Sequence, residues 1–146
     1  MPAEIVTTSI SAASALLVAV AGYYFTKKRE READGRKEKL SYYKAFVSSL
    51  NKILEGESSS EGRTQFATAC NDLLLFAPQP VIVALRAFQD ETADSNMNKS
   101  TQKHDELLSE LFYEMRSDIG VKPKDDPATF KIRLWGSGVK PPAKPG

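Results

Sequence analysis

The run from Ile5 to Thr26, IVTTSISAASALLVAVAGYYFT, carries no charged side chain over 22 positions. As a helix rising about 1.5 Å per residue, it is long enough to cross the roughly 30 Å hydrocarbon core of a bilayer. Hydroxyls at Thr7, Thr8, Ser9, Ser11 and Ser14 are tolerated there by bonding to the helix's own carbonyls. Tyr23, Tyr24 and Phe25 place rings at headgroup level. Lys27, Lys28, Arg29 and Arg31 follow at once, while the other flank offers Glu4 and the terminal amine. The positive-inside rule therefore predicts an N-terminus outside and a C-terminal body in the cytoplasm, with those four basic side chains at the lipid surface. Two alternatives compete: a cleaved signal peptide, whose positive charge ordinarily precedes its apolar run, and a soluble core helix, which ordinarily shows a polar face. Ser11, Ala15 and Ala19 share one stripe, with Gly22 close by, so two such helices can pack closely; a span merely rich in small residues explains the same stripe.

Residues 27–39 hold seven basic and four acidic side chains and read as a basic juxtamembrane linker after an anchor at 1–26. Gly35, following Asp34, is the expected hinge. From Leu40 the apolar positions Tyr43, Val47, Leu50 and Leu54 step by three and four, with Phe46 and Ile53 widening the stripe into an amphipathic helix. GESSSEG interrupts it. A second helix fits Glu61 to Ala77, with Phe66, Ala69, Cys70, Leu73, Leu74 and Ala77 on one face. Pro78 ends it, and Pro80 suits the first turn of a third helix whose buried face is Val81, Ala84, Leu85 and Phe88. Ser100 or Thr101 caps a fourth, with His104, Leu107, Leu108, Leu111, Phe112, Met115 and Ile119 on its inner face and Gly120 at its left-handed end. The expected fold is all-α: an N-terminal transmembrane helix, then a small four-helix bundle-like domain at 40–120.

Beyond the bundle, Asp126-Pro127 is placed to cap a single turn, and Phe130, Ile132 and Leu134 then alternate with Lys131 and Arg133. Residues 121–136 thus form an extended apolar arm, which docks on its own bundle or adds to a sheet edge on another protein. Docking hides Phe130 and Trp135, which otherwise leave an exposed apolar patch. Residues 137–146, ending in KPPAKPG, are too poor in apolar groups to order themselves. Charge is unevenly spread: residues 40–120 carry seven basic and twelve acidic groups, residues 121–146 six basic and two acidic. The basic tail accordingly lies against the acidic bundle or reaches back to an anionic membrane.

No catalytic constellation is present in the sequence. There is no glycine-rich phosphate loop, HExxH, CxxC or nucleophile elbow, and with one Cys and one His a zinc site of those ligands is excluded within one copy. His104 and Cys70 both fall on apolar stripes and read as core residues, while Glu106, Glu110 and Glu114 form a line of like charges expected on a solvated face. No cofactor, small-molecule substrate or nucleic acid is expected, although the basic tail beside Phe130 and Trp135 has the composition of a weak single-strand binder.

The segments ACNDLLLFAPQPVIVALRAFQDE (69–91), HDELLSELFYEMRSDIGVKPKD (104–125) and ATFKIRLW (128–135) resemble uncharacterised bacterial proteins with one N-terminal membrane span and a small helical cytoplasmic part. That resemblance implies a bacterial inner-membrane setting and transfers no functional residue. The sequence thus predicts a non-enzymatic interaction module that binds a protein partner or another copy of itself. Its partner surface is expected at Phe130, Ile132, Leu134 and Trp135, with Arg116 and Asp118 as anchors. The alternative is a small effector of defence or stress that acts by oligomerisation of its span.

Overall fold

The computed structural model describes residues 2–54 and 59–134, and side chains for residues 16–53 and 59–134. Among these the chain is all-α, with helices α1 (Pro2–Leu54), α2 (Ser60–Phe76), α3 (Gln79–Thr92) and α4 (Thr101–Asp118) and no strand. They divide into two compact units, Met1–Glu38 and Lys39–Gly146.

In the first unit the expected linker is helix instead, because α1 continues through residues 27–39 and Gly35 without interruption. Lys, Arg and Glu are strong helix formers, and the about 1 kcal/mol that a helical glycine costs is spread over a long favourable segment. Pairs along the helix add a little: Lys27 Nζ lies 2.8 Å from Glu30, and Lys37 lies 3.9 Å from Asp34. The segment expected as an anchor and the first amphipathic helix are therefore one helix. Ala19 and Gly22 are exposed, and Ser11 and Ala15 lie outside the residues whose side chains are described. Among the described residues no helix is long and apolar enough to cross a membrane. The charge-free run Ile5–Thr26 has its residues 5–15 beyond those whose side chains are described.

The second unit is built by four amphipathic faces meeting. Tyr43, Phe46 and Leu50 of α1, Ala69, Cys70 and Leu73 of α2, Val81, Ala84, Leu85 and Phe88 of α3, and Leu108, Leu111 and Met115 of α4 make one buried cluster. The stripes expected on α3 and α4 are the ones buried, and α3 packs along α4. Two expected core positions are displaced: Leu74 is 44% exposed and Leu40 37% exposed, since each sits at the margin of its stripe, where the neighbouring helix no longer covers it. Helix ends follow local chemistry. The Ser59 hydroxyl accepts from the Gly62 amide at 3.1 Å, Pro80 occupies the first turn of α3, and Gly120 takes a φ of 70° just past α4. Ser100, as expected, is the N-cap of α4.

One carboxylate organises the α3–α4 connection. Glu91, buried at the end of α3, accepts from the Ser100 amide at 2.7 Å and from Asn96 Nδ2 at 3.3 Å, and pairs with Lys103 Nζ at 3.3 Å. The Ser100 amide, aided by Lys103 and Asn96, holds its carboxyl below the ordinary carboxylate range despite burial. At the other end of the bundle Asp118 accepts from Lys39 Nζ and from the Tyr43 hydroxyl, each at 2.7 Å, and so joins α1 to α4.

Candidate functional site

Past Gly120 the chain turns back along α4 as the extended segment that its alternation predicts. Asp126 organises the reversal: its carbonyl accepts from the Phe130 amide at 2.8 Å and its side chain from the Ala128 amide at 3.0 Å. Arg116 then clamps the returning segment, with Nε 2.6 Å and one terminal nitrogen 3.1 Å from the two oxygens of Asp125. Each partner stabilises the other's charge, raising the guanidinium pKa and lowering that of the carboxyl. The same guanidinium lies over the Phe130 ring, 5.6 Å from its centroid.

From there Phe130, Ile132 and Leu134 are half-buried while Lys131 and Arg133 face solvent. Ile132 and Leu134 pack on the core cluster, and the Ile132 amide donates to the Ser109 hydroxyl at 3.1 Å. The arm therefore docks on its own bundle. Register follows from simple geometry: Phe130 meets Tyr113, with centroids 5.9 Å apart, and Ile132 meets Ser109. Two extended residues advance about 6.6 Å and four helical ones about 6 Å, so arm and helix keep step.

Between arm and helix lies an open groove of about 920 Å³. One wall is α4, contributing Asp105, Glu106, Glu110 and Glu114; the other is the arm, contributing Phe130, Lys131, Ile132 and Arg133. Tyr113 and Phe130 supply aromatic surface inside it. Glu110, Glu114, Lys131 and Arg133 form no ion pair among the described residues, so four carboxylates face two cations. The like-charged row expected on a solvated face is exposed at Glu106 and Glu110 and half-buried at Glu114, and it lines this groove.

The other candidate residues fall as follows. Arg116 and Asp118 are both engaged within the chain, by Asp125 and by Lys39 with Tyr43. Lys27, Lys28, Arg29 and Arg31 are exposed on α1, and Trp135 lies outside the described residues. His104 is half-buried, its ring 5.2 Å from that of Phe88 and its Nδ1 3.1 Å from Asp105. Cys70 is buried, and desolvation pushes its thiol up to about 11. No cluster of three or more metal-ligating side chains exists among the described residues. Sequence reasoning missed Ser109 and Glu91, and took Asp118 for a partner anchor where it is the internal acceptor for Lys39 and Tyr43. A serine amid the α4 apolar stripe was the available signal for Ser109; Glu91 offered none.

No protein-family model matches the chain, and neither a curated protein nor a solved structure matches it. The residues and their geometry therefore carry the functional reading alone.

Proposed function

We propose that the protein is a single-span inner-membrane protein, N-terminus out, whose cytoplasmic helical domain binds a protein partner through the α4–arm groove. One observation carries the anchor. Leu16, Leu17, Val18, Val20, Tyr23, Tyr24 and Phe25 of α1 are each between 60% and 72% exposed. At about 100° per residue they cover roughly 220° of the helix circumference, and Ala19, Gly22 and Thr26 fill the rest without a charge, a surface that water does not tolerate and that a bilayer covers on all sides at once. The charge-free sequence continues back to Ile5, which makes the apolar length sufficient. The basic residues after Thr26 supply the orientation. An interaction role fits a groove bordered by unpaired charges and aromatic rings better than catalysis does, since the Ser109 hydroxyl that lines it donates to the Asp105 carbonyl and has no side-chain base as its partner among the described residues.

Membrane fractionation with an alkaline carbonate wash, on the full chain and on one lacking residues 1–26, tests the anchor. Full-length protein of unprocessed mass is expected in the washed membrane, and the shortened chain in the soluble fraction with helical circular dichroism. Full-length protein released by the wash, or shortened by cleavage, overturns the reading.

A further inference from the structure

We infer that the α4–arm groove is the contact surface between two copies of this chain, joined about a two-fold axis that runs along the groove. The inference rests on the groove being the interaction surface proposed above, and it names what fills it. An interface of this symmetry needs a patch that complements itself, and both halves are present in one chain. On the α4 wall Glu106 and Glu110 are exposed one helical turn apart; on the arm Lys131 and Arg133 are exposed and alternate with the residues that dock. Glu106 accepts from Gln102 Nε2 at 2.9 Å, and none of the four forms an ion pair among the described residues. Tyr113, Phe130 and Ile132, each half-buried, line the groove with these two charged rows. Apolar surface with charge along its margins is the anatomy of a protein interface.

Register selects the arrangement. Phe130 stands beside Tyr113 and Ile132 beside Ser109, so arm and helix run antiparallel. From the Phe130–Tyr113 level, Lys131 lies about 3.3 Å along the arm and Arg133 about 10 Å, at the extended rise. Glu110 lies about 4.5 Å along α4 in the same direction and Glu106 about 10.5 Å, at the helical rise. Lys131 is thus level with Glu110 and Arg133 with Glu106, yet no ion pair bridges the walls of one copy. Rotation about an axis along the groove keeps these levels and exchanges the walls, so each arm comes over α4 of the other copy. Lys131 then meets Glu110 of the other copy and Arg133 meets its Glu106, and the symmetry repeats both pairs. An axis across the groove sets glutamates against glutamates instead, so charge chooses the first arrangement. Exposed pairs of this kind fix orientation and register, while the rings and Ile132 supply the apolar area.

The test is sedimentation equilibrium of the full chain in density-matched detergent, with two charge reversals, Glu106→Lys/Glu110→Lys and Lys131→Glu/Arg133→Glu. The unsubstituted chain is expected to form dimers that weaken as salt rises. Each reversal alone sets like charges against each other and should weaken dimerisation at least about tenfold. An equimolar mixture of the two reversed chains should recover it, because every pair across the interface is then of opposite sign. All four positions are exposed, so circular dichroism should be unchanged. Dimers that neither reversal weakens, or a mixture that fails to recover, place the contact elsewhere and overturn the inference. A chain that stays monomeric overturns it too, and a fluorescein-labelled peptide of alternating lysine and alanine then separates the two readings. Binding of that peptide, lost in Glu106→Lys/Glu110→Lys, keeps the groove as an interaction surface for another protein; no binding overturns the groove as well. Membrane retention in the carbonate wash is independent of these substitutions, so the anchor is read separately.

Discussion

The two ends of α1 put one helix in two environments. From Leu16 to Phe25 its large apolar side chains are 60–72% exposed, whereas Tyr43, Phe46 and Leu50 are at most 5% exposed. Backbone geometry is helical in both stretches, so the difference lies in the arrangement of side chains. In the second stretch the apolar residues keep one face and alternate with Lys44, Ser48 and Lys52; in the first no face carries a charge, the sector between the large apolar side chains being filled by Ala19 and Gly22. A one-sided stripe can be buried by three neighbouring helices. An all-round apolar surface needs a solvent that is itself apolar, which is why the anchor reading and the bundle reading come from the same element.

That contrast can be broken from either side. The largest effect is expected from placing charge in the exposed stretch: Leu17→Lys with Val20→Lys should cost about 5–7 kcal/mol of insertion, at about 2.5–3.5 per lysine near the middle of a span. The protein should then leave the washed membrane while its body unfolds in urea as before. Unchanged retention would mean that this stretch does not sit in a bilayer. Next comes Phe46→Ala, which opens a cavity at a fully buried position and should lower the body's stability by about 3–5 kcal/mol, read from the urea midpoint. Leu17→Ala is the control: the same kind of truncation, at a side chain 71% exposed, should leave that midpoint where it was.

Much of the body was legible in the sequence, and the reasons are particular. Val81, Ala84, Leu85 and Phe88 lie on a helical period with no competing apolar residue on the opposite face except Val83, and all four are buried. Phe130, Ile132 and Leu134 alternate with two cations, and that alternation is the side-chain pattern along the docked arm. The join at residues 27–39 was misread because charge and a glycine suggest a linker, yet the same lysines, arginines and glutamates are helix formers that carry α1 through Gly35. The groove was hidden for a different reason. It exists only once the arm returns along α4, a long-range placement fixed by the Arg116–Asp125 pair and the Ser109 hydroxyl, neither of which leaves a periodic trace.

Smaller effects separate the polar links of the body from its apolar core. Asp118→Ala removes the acceptor shared by Lys39 and the buried Tyr43 hydroxyl, and should cost about 1–3 kcal/mol in the same urea titration. Tyr43→Phe, which leaves Asp118 paired with Lys39, should cost about 1 kcal/mol. If the two substitutions cost the same, the Lys39 arm of the link contributes nothing and the tyrosine carries it.

The smallest effect is one of pH, and its sign follows from Glu91. Its folded carboxyl sits below the ordinary value of 4.5, so the unfolded chain binds the proton more readily than the folded one in acid. The stabilisation is therefore complete above about pH 4.5 and is lost as the pH falls through the lower folded value. Asp125, held below its ordinary 3.8 by Arg116, adds a second loss further into acid. Urea midpoints measured from pH 7 to pH 3 should fall along this limb. Glu91→Gln should begin lower at pH 7, because the amide loses the charge that Lys103 and the Ser100 amide meet, and should then fall less steeply as acid is added. The apolar stretch of α1 between Leu16 and Phe25 has no carboxylate to protonate, so membrane retention should stay level across the same range. An acid limb equally steep in Glu91→Gln would move the proton uptake to other carboxylates and leave the α3–α4 connection held by its backbone turns and the Asn96 side chain.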